Sequence, residues 1–129
     1  MAHDHPISDA GSDRVKAFTD FRKRMNERIL AEDNQVVRRF FALDTQTYKA
    51  GALDVKTKEL LGLVASMVLR CDDCISYHVA QCKEVGVNRD EFFETFSVGL
   101  VVGGSIVIPH LRRAVDFLIA NPGTAAQFD

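Results

Sequence analysis

Along this chain apolar residues return at helical intervals, and no segment sustains the strict apolar–polar alternation of a strand. From Ser12, the residues Val15, Phe18, Met25 and Ile29 recur with Arg and Lys between them, which predicts a first helix. Asn34 opens a second, whose stripe of Val36, Val37, Phe40, Phe41, Leu43 and Tyr48 runs toward Gly51. Asp54 is placed to cap a third, with Leu60, Leu61, Val64, Met67 and Val68 expected inside and Lys56 and Lys58 outside. That helix should stop or kink near Arg70, and a fourth should run from there to about Val85, closed by Gly86. Asn88 followed by Glu91 spells a capping box for a fifth helix carrying Phe92, Phe93, Phe96, Leu100 and Val101. After Ser105 a sixth passes through Leu111, Val115, Phe117 and Leu118 and ends near Asn121-Pro122-Gly123. The expectation is an all-α, single-domain bundle of about six helices. Its phenylalanines should lie in the core.

Composition narrows the class without changing that picture. With 129 residues the chain builds one ordinary domain, here residues 12–129, after a flexible tail over residues 1–11. A formal net charge of −2 leaves no basic surplus for nucleic acid or for an anionic membrane. The polar start, Met1 to Asp13, lacks the apolar stretch of a secretory signal. The longest apolar run, Val98 to Pro109, is too short to span a bilayer and is broken by Gly99, Gly103, Gly104 and Ser105. A cytoplasmic protein is expected, with no partner of either kind. In a reducing compartment a cysteine pair points to catalysis or metal binding rather than to a structural staple.

The chemistry concentrates in Arg70-Cys71-Asp72-Asp73-Cys74-Ile75-Ser76-Tyr77-His78. Cys71 and Cys74 are three residues apart at a helix start, where they can close a disulfide. His78, one turn beyond Cys74 on the same face, can take a thiol proton. The pair thus divides into an outer thiol at the helix tip and an inner thiol beside a base. Helix-terminal N–H groups favour a thiolate at Cys71, while the carboxylates of Asp72 and Asp73 oppose one. Cys71, Cys74, His78 and Cys82 share a helical face, but Cys71 and Cys82 would stand about 16 Å apart along the axis. One zinc ion, with bonds of about 2.0 to 2.3 Å, could therefore take at most Cys71, Cys74 and His78, with Glu59 as a fourth ligand. Cys82 reads as a small core filler.

Two further residues depend on how the helices pack. On an unbroken helix Glu59 would lie about 18 Å and about 120° away from Cys71, so on periodicity alone it belongs to the solvated Lys56/Lys58 face. It meets the cysteine pair only if the third and fourth helices pack side by side. His110, after Pro109, reads either as a polar residue at a helix start or as a second polar group in the pocket. The Gly99, Gly103, Gly104 set has no preceding strand, so it indicates close helix packing or a subunit contact rather than a phosphate loop.

Glu59, an eleven-residue spacer, Cys71-x-x-Cys74 and x-x-x-His78 together resemble the signature of the carboxymuconolactone decarboxylase and alkylhydroperoxidase D (AhpD-like) superfamily. Leu53 to Leu60, and Val85-Gly86-Val87 before an acidic helix start, resemble it too, so the likeness covers roughly residues 36–118. It implies an all-helical homo-trimer or homo-hexamer with no cofactor and no metal. The cysteine pair places the resemblance with the peroxidase-like branch, in which Cys74 attacks a small-molecule hydroperoxide and Cys71 resolves the sulfenic acid as a disulfide. His78 and Glu59 match the proton relay, and a lipoyl group or a thioredoxin-like protein is implied as the dithiol reductant. Asp73 stands where the family's best-known enzyme has a histidine. The alternative is a non-redox lyase, hydrolase or isomerase acting on a small carboxylate through Glu59, His78 and His110.

Overall fold

A computed structural model describes residues 9–121, and these form six α-helices, with no strand among them. They are α1 (Asp9–Ala31), α2 (Gln35–Thr47), α3 (Val55–Val68), α4 (Asp72–Glu84), α5 (Arg89–Gly103) and α6 (Ile108–Ala120). A single 3-10 turn, Ser105–Val107, precedes α6. Most of the expected tail lies outside the described residues, and α1 already begins at Asp9, ahead of the expected Ser12. The expected end at Pro122-Gly123 also lies outside them.

The helix starts follow from local chemistry. Asn34 Oδ1 accepts from the Val37 N–H at 3.1 Å, and Asp54 Oδ1 accepts from the Thr57 N–H at 2.7 Å. Asn88 and Glu91 close the expected capping box, each side chain accepting from the other's backbone N–H at 2.9 and 3.0 Å. Each such cap is worth about 1 kcal/mol. The break near Arg70 is sharp. Arg70 has φ 59°, a left-handed conformation that ordinary side chains avoid, and the Cys71 N–H reaches back to the Ser66 carbonyl at 3.1 Å. That turn folds α4 back along α3.

The core lies where α3 packs on α4 and α5, with α6 closing over α4 and α1 over α6. Leu63, Met67, Ile75, Val79, Phe92, Phe96, Phe117 and Leu118 are buried in it. Burial of each of these apolar side chains contributes roughly 1.5–3 kcal/mol. Gly99 of α5 faces Met67, and a Cβ added there would meet the Met67 side chain at an ordinary contact distance of 3.5 Å. Lys83, an unheralded member, is buried and donates to the Leu118 and Asn121 carbonyls at 3.1 and 2.9 Å, tying α4 to the end of α6. No described helix is long and apolar enough to cross a membrane.

Not every apolar stripe points inward. No residue of α2 is buried: Val36 is 73% exposed, Phe40 68% and Leu43 58%. Phe93, Leu61 and Val101 are exposed as well. Periodicity identifies an apolar face but not what covers it, and among the described residues most of that of α2 is left uncovered.

Candidate active site

The fold-back at Arg70 decides the position of Glu59. Instead of joining a solvated lysine face, Glu59 is only 4% exposed, and its Oε1 lies 2.9 Å from His78 Nδ1. His78 is 8% exposed. An imidazole bound this way carries its proton on Nδ1 toward the carboxylate, which leaves Nε2 as the basic nitrogen. Lys56, from the same turn of α3, pairs instead with Glu91 at 2.7 Å.

Two residues complete the surroundings of His78, and the sequence pattern pointed to neither in this role. The Tyr48 hydroxyl, at the end of α2, lies 3.4 Å from Nε2. Beneath both is Gly62 of α3, where a Cβ would fall 2.5 Å from His78 Cε1 and 2.8 Å from the Tyr48 oxygen. Tyr48 looked like the last member of an apolar stripe, and nothing local marked it. Gly62 did carry a signal, because glycine inside a helix costs about 1 kcal/mol relative to alanine and such a position invites a packing reason.

All three cysteines are free thiols. Cys71 is the N-cap of α4, and its sulfur accepts from the Cys74 N–H at 3.3 Å, so both thiols occupy one turn. Cys74 is exposed and Cys71 is half-buried. The Cys74 thiol is pushed up to about 11, first by its hydrogen bond to Cys71, then by burial and by the nearby negative charges of Cys71 and Asp73. At neutral pH it therefore rests protonated. Among the described residues no hydrogen bond joins it to His78, so a proton passing between them needs a bridging solvent or substrate atom. Cys82 is fully buried and its thiol is pushed up to about 12 by desolvation, as suits a core filler.

Cys74 and His78 open into a cavity of about 450 Å³. Asp73 and Tyr77 of α4 line it with them, Asp44 of α2 stands opposite, and α1 supplies Phe18, Phe21, Arg22, Met25 and Asn26. The Arg22 guanidinium stacks 3.8 Å over the Tyr77 ring. The lining thus mixes apolar side chains with one cation, Arg22, and two carboxylates, Asp44 and Asp73.

His110 is not among the residues lining that cavity. Its Nδ1 lies 2.8 Å from Asp72 Oδ1, and Arg113 Nε donates to Asp72 Oδ2 at 2.9 Å, so the pair clamps the first turn of α4 onto α6. The three-ligand alternative is not assembled either. Among the described residues no three His, Cys, Asp or Glu side chains converge as an ion would require. Glu59 already engages Nδ1 of His78.

The profile of the carboxymuconolactone decarboxylase family matches residues 34–117, which include all of α2 to α5 and most of α6. Among solved structures, the chain resembles a carboxymuconolactone decarboxylase family protein from Thermotoga maritima, described as a candidate for involvement in an antioxidative response. The two are 56% identical with a TM-score of 0.76, over 79% of this chain and 86% of that one. It also resembles a family member from Legionella pneumophila, 28% identical with a TM-score of 0.71, over 84% and 94% of the two chains. A curated relative from Paracoccus denitrificans, an uncharacterized protein in the cox locus, is 28% identical over 79 residues, 61% of this chain and 71% of its own.

Proposed function

This chain belongs to the carboxymuconolactone decarboxylase family, in its alkylhydroperoxidase D-like form, and we propose that it is a thiol peroxidase that reduces organic hydroperoxides. The observation that carries this reading is one cavity wall bearing both a thiol, Cys74, and a histidine, His78, whose far nitrogen is held by a buried carboxylate. The antioxidative description of the Thermotoga relative supports it.

In the first step Cys74 loses its proton through a bridging atom to His78 Nε2, and Glu59 supports the resulting imidazolium charge. The thiolate attacks one peroxide oxygen and the O–O bond breaks. The leaving alkoxide takes the proton from His78 and departs as an alcohol, while Cys74 becomes a sulfenic acid. Two electrons have passed from sulfur to oxygen. Cys71 then attacks the sulfenic sulfur, an S–S bond forms, and hydroxide leaves as water with the proton that Cys71 gave up. An external dithiol, a lipoyl group or a thioredoxin-like protein, restores both thiols by exchange and leaves oxidised.

Cys74→Ser should abolish peroxide consumption and leave no sulfenic acid to trap. Cys71→Ser should keep a trappable sulfenic acid at Cys74 but stall before turnover. If Cys71→Ser alone removes the trappable species, the two roles are reversed. If both variants keep full activity, the redox reading fails and a lyase, hydrolase or isomerase using Glu59 and His78 replaces it.

The uncovered apolar face of α2 supports a homo-oligomer, a trimer or a hexamer, in which that face is buried against another copy. Sedimentation equilibrium should return an assembly that Phe40→Arg weakens without unfolding the chain. A wild-type monomer at micromolar concentration would contradict it.

A further inference from the structure

We propose that Tyr48 is a positioning residue for His78, holding the Nε2 edge of the imidazole so that the charged ring formed during peroxide reduction is hydrogen-bonded at both nitrogens. The inference rests on the peroxidase reading for its kinetic consequence, but not for its structural one.

Three observations converge on it. First, Glu59 occupies Nδ1 at 2.9 Å, so any other control of the ring must act at Nε2, and the Tyr48 hydroxyl is placed there at 3.4 Å. A hydroxyl is both donor and acceptor and its hydrogen rotates freely. With its hydrogen turned away it leaves the single Nε2 lone pair open to the bridging atom, and once the ring is charged its oxygen accepts from Nε2–H until the alkoxide takes that proton. The separation is long for a neutral pair, and charge-assisted bonds are shorter and stronger, so the contact tightens in the state that needs it. Second, space has been left for this arrangement. Only a glycine at position 62 lets both groups sit against α3, since a Cβ there would approach His78 Nε2 and the Tyr48 oxygen to 2.8 Å each. Third, Tyr48 is anchored from outside its own helix. Lys58 of α3 donates to the Thr47 carbonyl at 2.9 Å and to the Lys49 carbonyl at 2.7 Å, on either side of Tyr48. Because α2 buries no residue of its own, this ammonium is a main tie between the end of α2 and the body of the protein.

Tyr48 also stays protonated. Burial, and then the Glu59 carboxylate, raise its phenol above the ordinary value, so at neutral pH it remains a neutral hydroxyl. It is not among the residues lining the cavity, which separates its role from substrate binding.

The test uses Tyr48→Phe, which keeps the ring and removes the oxygen, and Lys58→Met, which cuts the tie. Gly62→Ala, which forces the two groups apart, is a third arm. Sulfenic acid formation at Cys74 should slow about tenfold or more in each, the scale of one hydrogen bond to a charged group, with the half-saturating peroxide concentration unchanged. In acid, the wild-type protein should show a His78 Nε2–H proton protected from solvent exchange by NMR, and Tyr48→Phe should lose it. A Tyr48→Phe protein that keeps either the rate or the protected proton overturns the proposal. If the wild type consumes no peroxide, the peroxidase reading fails, and the protected proton alone decides Tyr48. If Gly62→Ala does not fold, the other two variants still decide.

Discussion

At the tip of α4 the reactive groups are open to solvent and electrostatically discouraged, whereas one turn further along the same helix they are enclosed and prearranged. Cys74 is exposed, and its thiol is driven up to about 11 by Cys71, burial and Asp73. His78 is buried between Glu59 and Tyr48, with a partner at each nitrogen. The contrast indicates a division of labour in which the thiol end supplies access and the imidazole end supplies proton control. A thiol that rests protonated is shielded from casual oxidation, because the thiolate is the reactive form. Its activation then depends on a base that acts only when a substrate atom bridges the gap.

The strongest way to break this comparison is to remove the enclosed end. His78→Ala and Glu59→Gln should each slow sulfenic acid formation by roughly 10²-fold or more, the usual scale of a lost acid–base group. Stopped-flow peroxide consumption showing wild-type rates in both would dissolve the distinction between the two ends.

The pH dependence sharpens it. Because the folded Cys74 thiol titrates near 11, its thiolate fraction grows about tenfold per pH unit throughout the range below that value. Without the base, in His78→Ala, the rate should follow that slope from neutral pH toward 10, while the intact relay should flatten it in the wild type. Parallel profiles for the two proteins would show that His78 does not handle this proton.

A smaller effect is expected at Asp73, which raises the Cys74 thiol by charge repulsion. Asp73→Asn should remove that opposition and raise the neutral-pH rate roughly two- to tenfold. Alkylation by iodoacetamide should accelerate in step, since it also reads the thiolate. A slower variant would mean that Asp73 contributes something besides its charge.

How much of this was legible without tertiary structure varied with the range of each interaction. The caps at Asn34, Asp54 and Asn88 were readable because donor and acceptor lie three residues apart in one helix. The shared face of Cys74 and His78 was readable for the same reason. Periodicity alone set Glu59 among lysines on α3, while its spacing from the cysteine pair, through the family resemblance, put it beside His78; the reversal at Arg70 is what turns it onto α4. His110 was assigned to the right helix start, but its partner Asp72 is 38 residues away in sequence.

The sequence by itself determined the six helices, the caps that open α2, α3 and α5, and the cluster of thiols and imidazole at the start of α4, because backbone hydrogen bonding and side-chain spacing repeat within a single element. Tertiary structure decided which apolar faces are covered and supplied the contact that sets Glu59 behind His78. It also brought Tyr48 and Gly62 to the same ring. Those outcomes depend on groups up to 30 residues apart meeting in a solvent-poor space, where burial and neighbouring charge outweigh local preference.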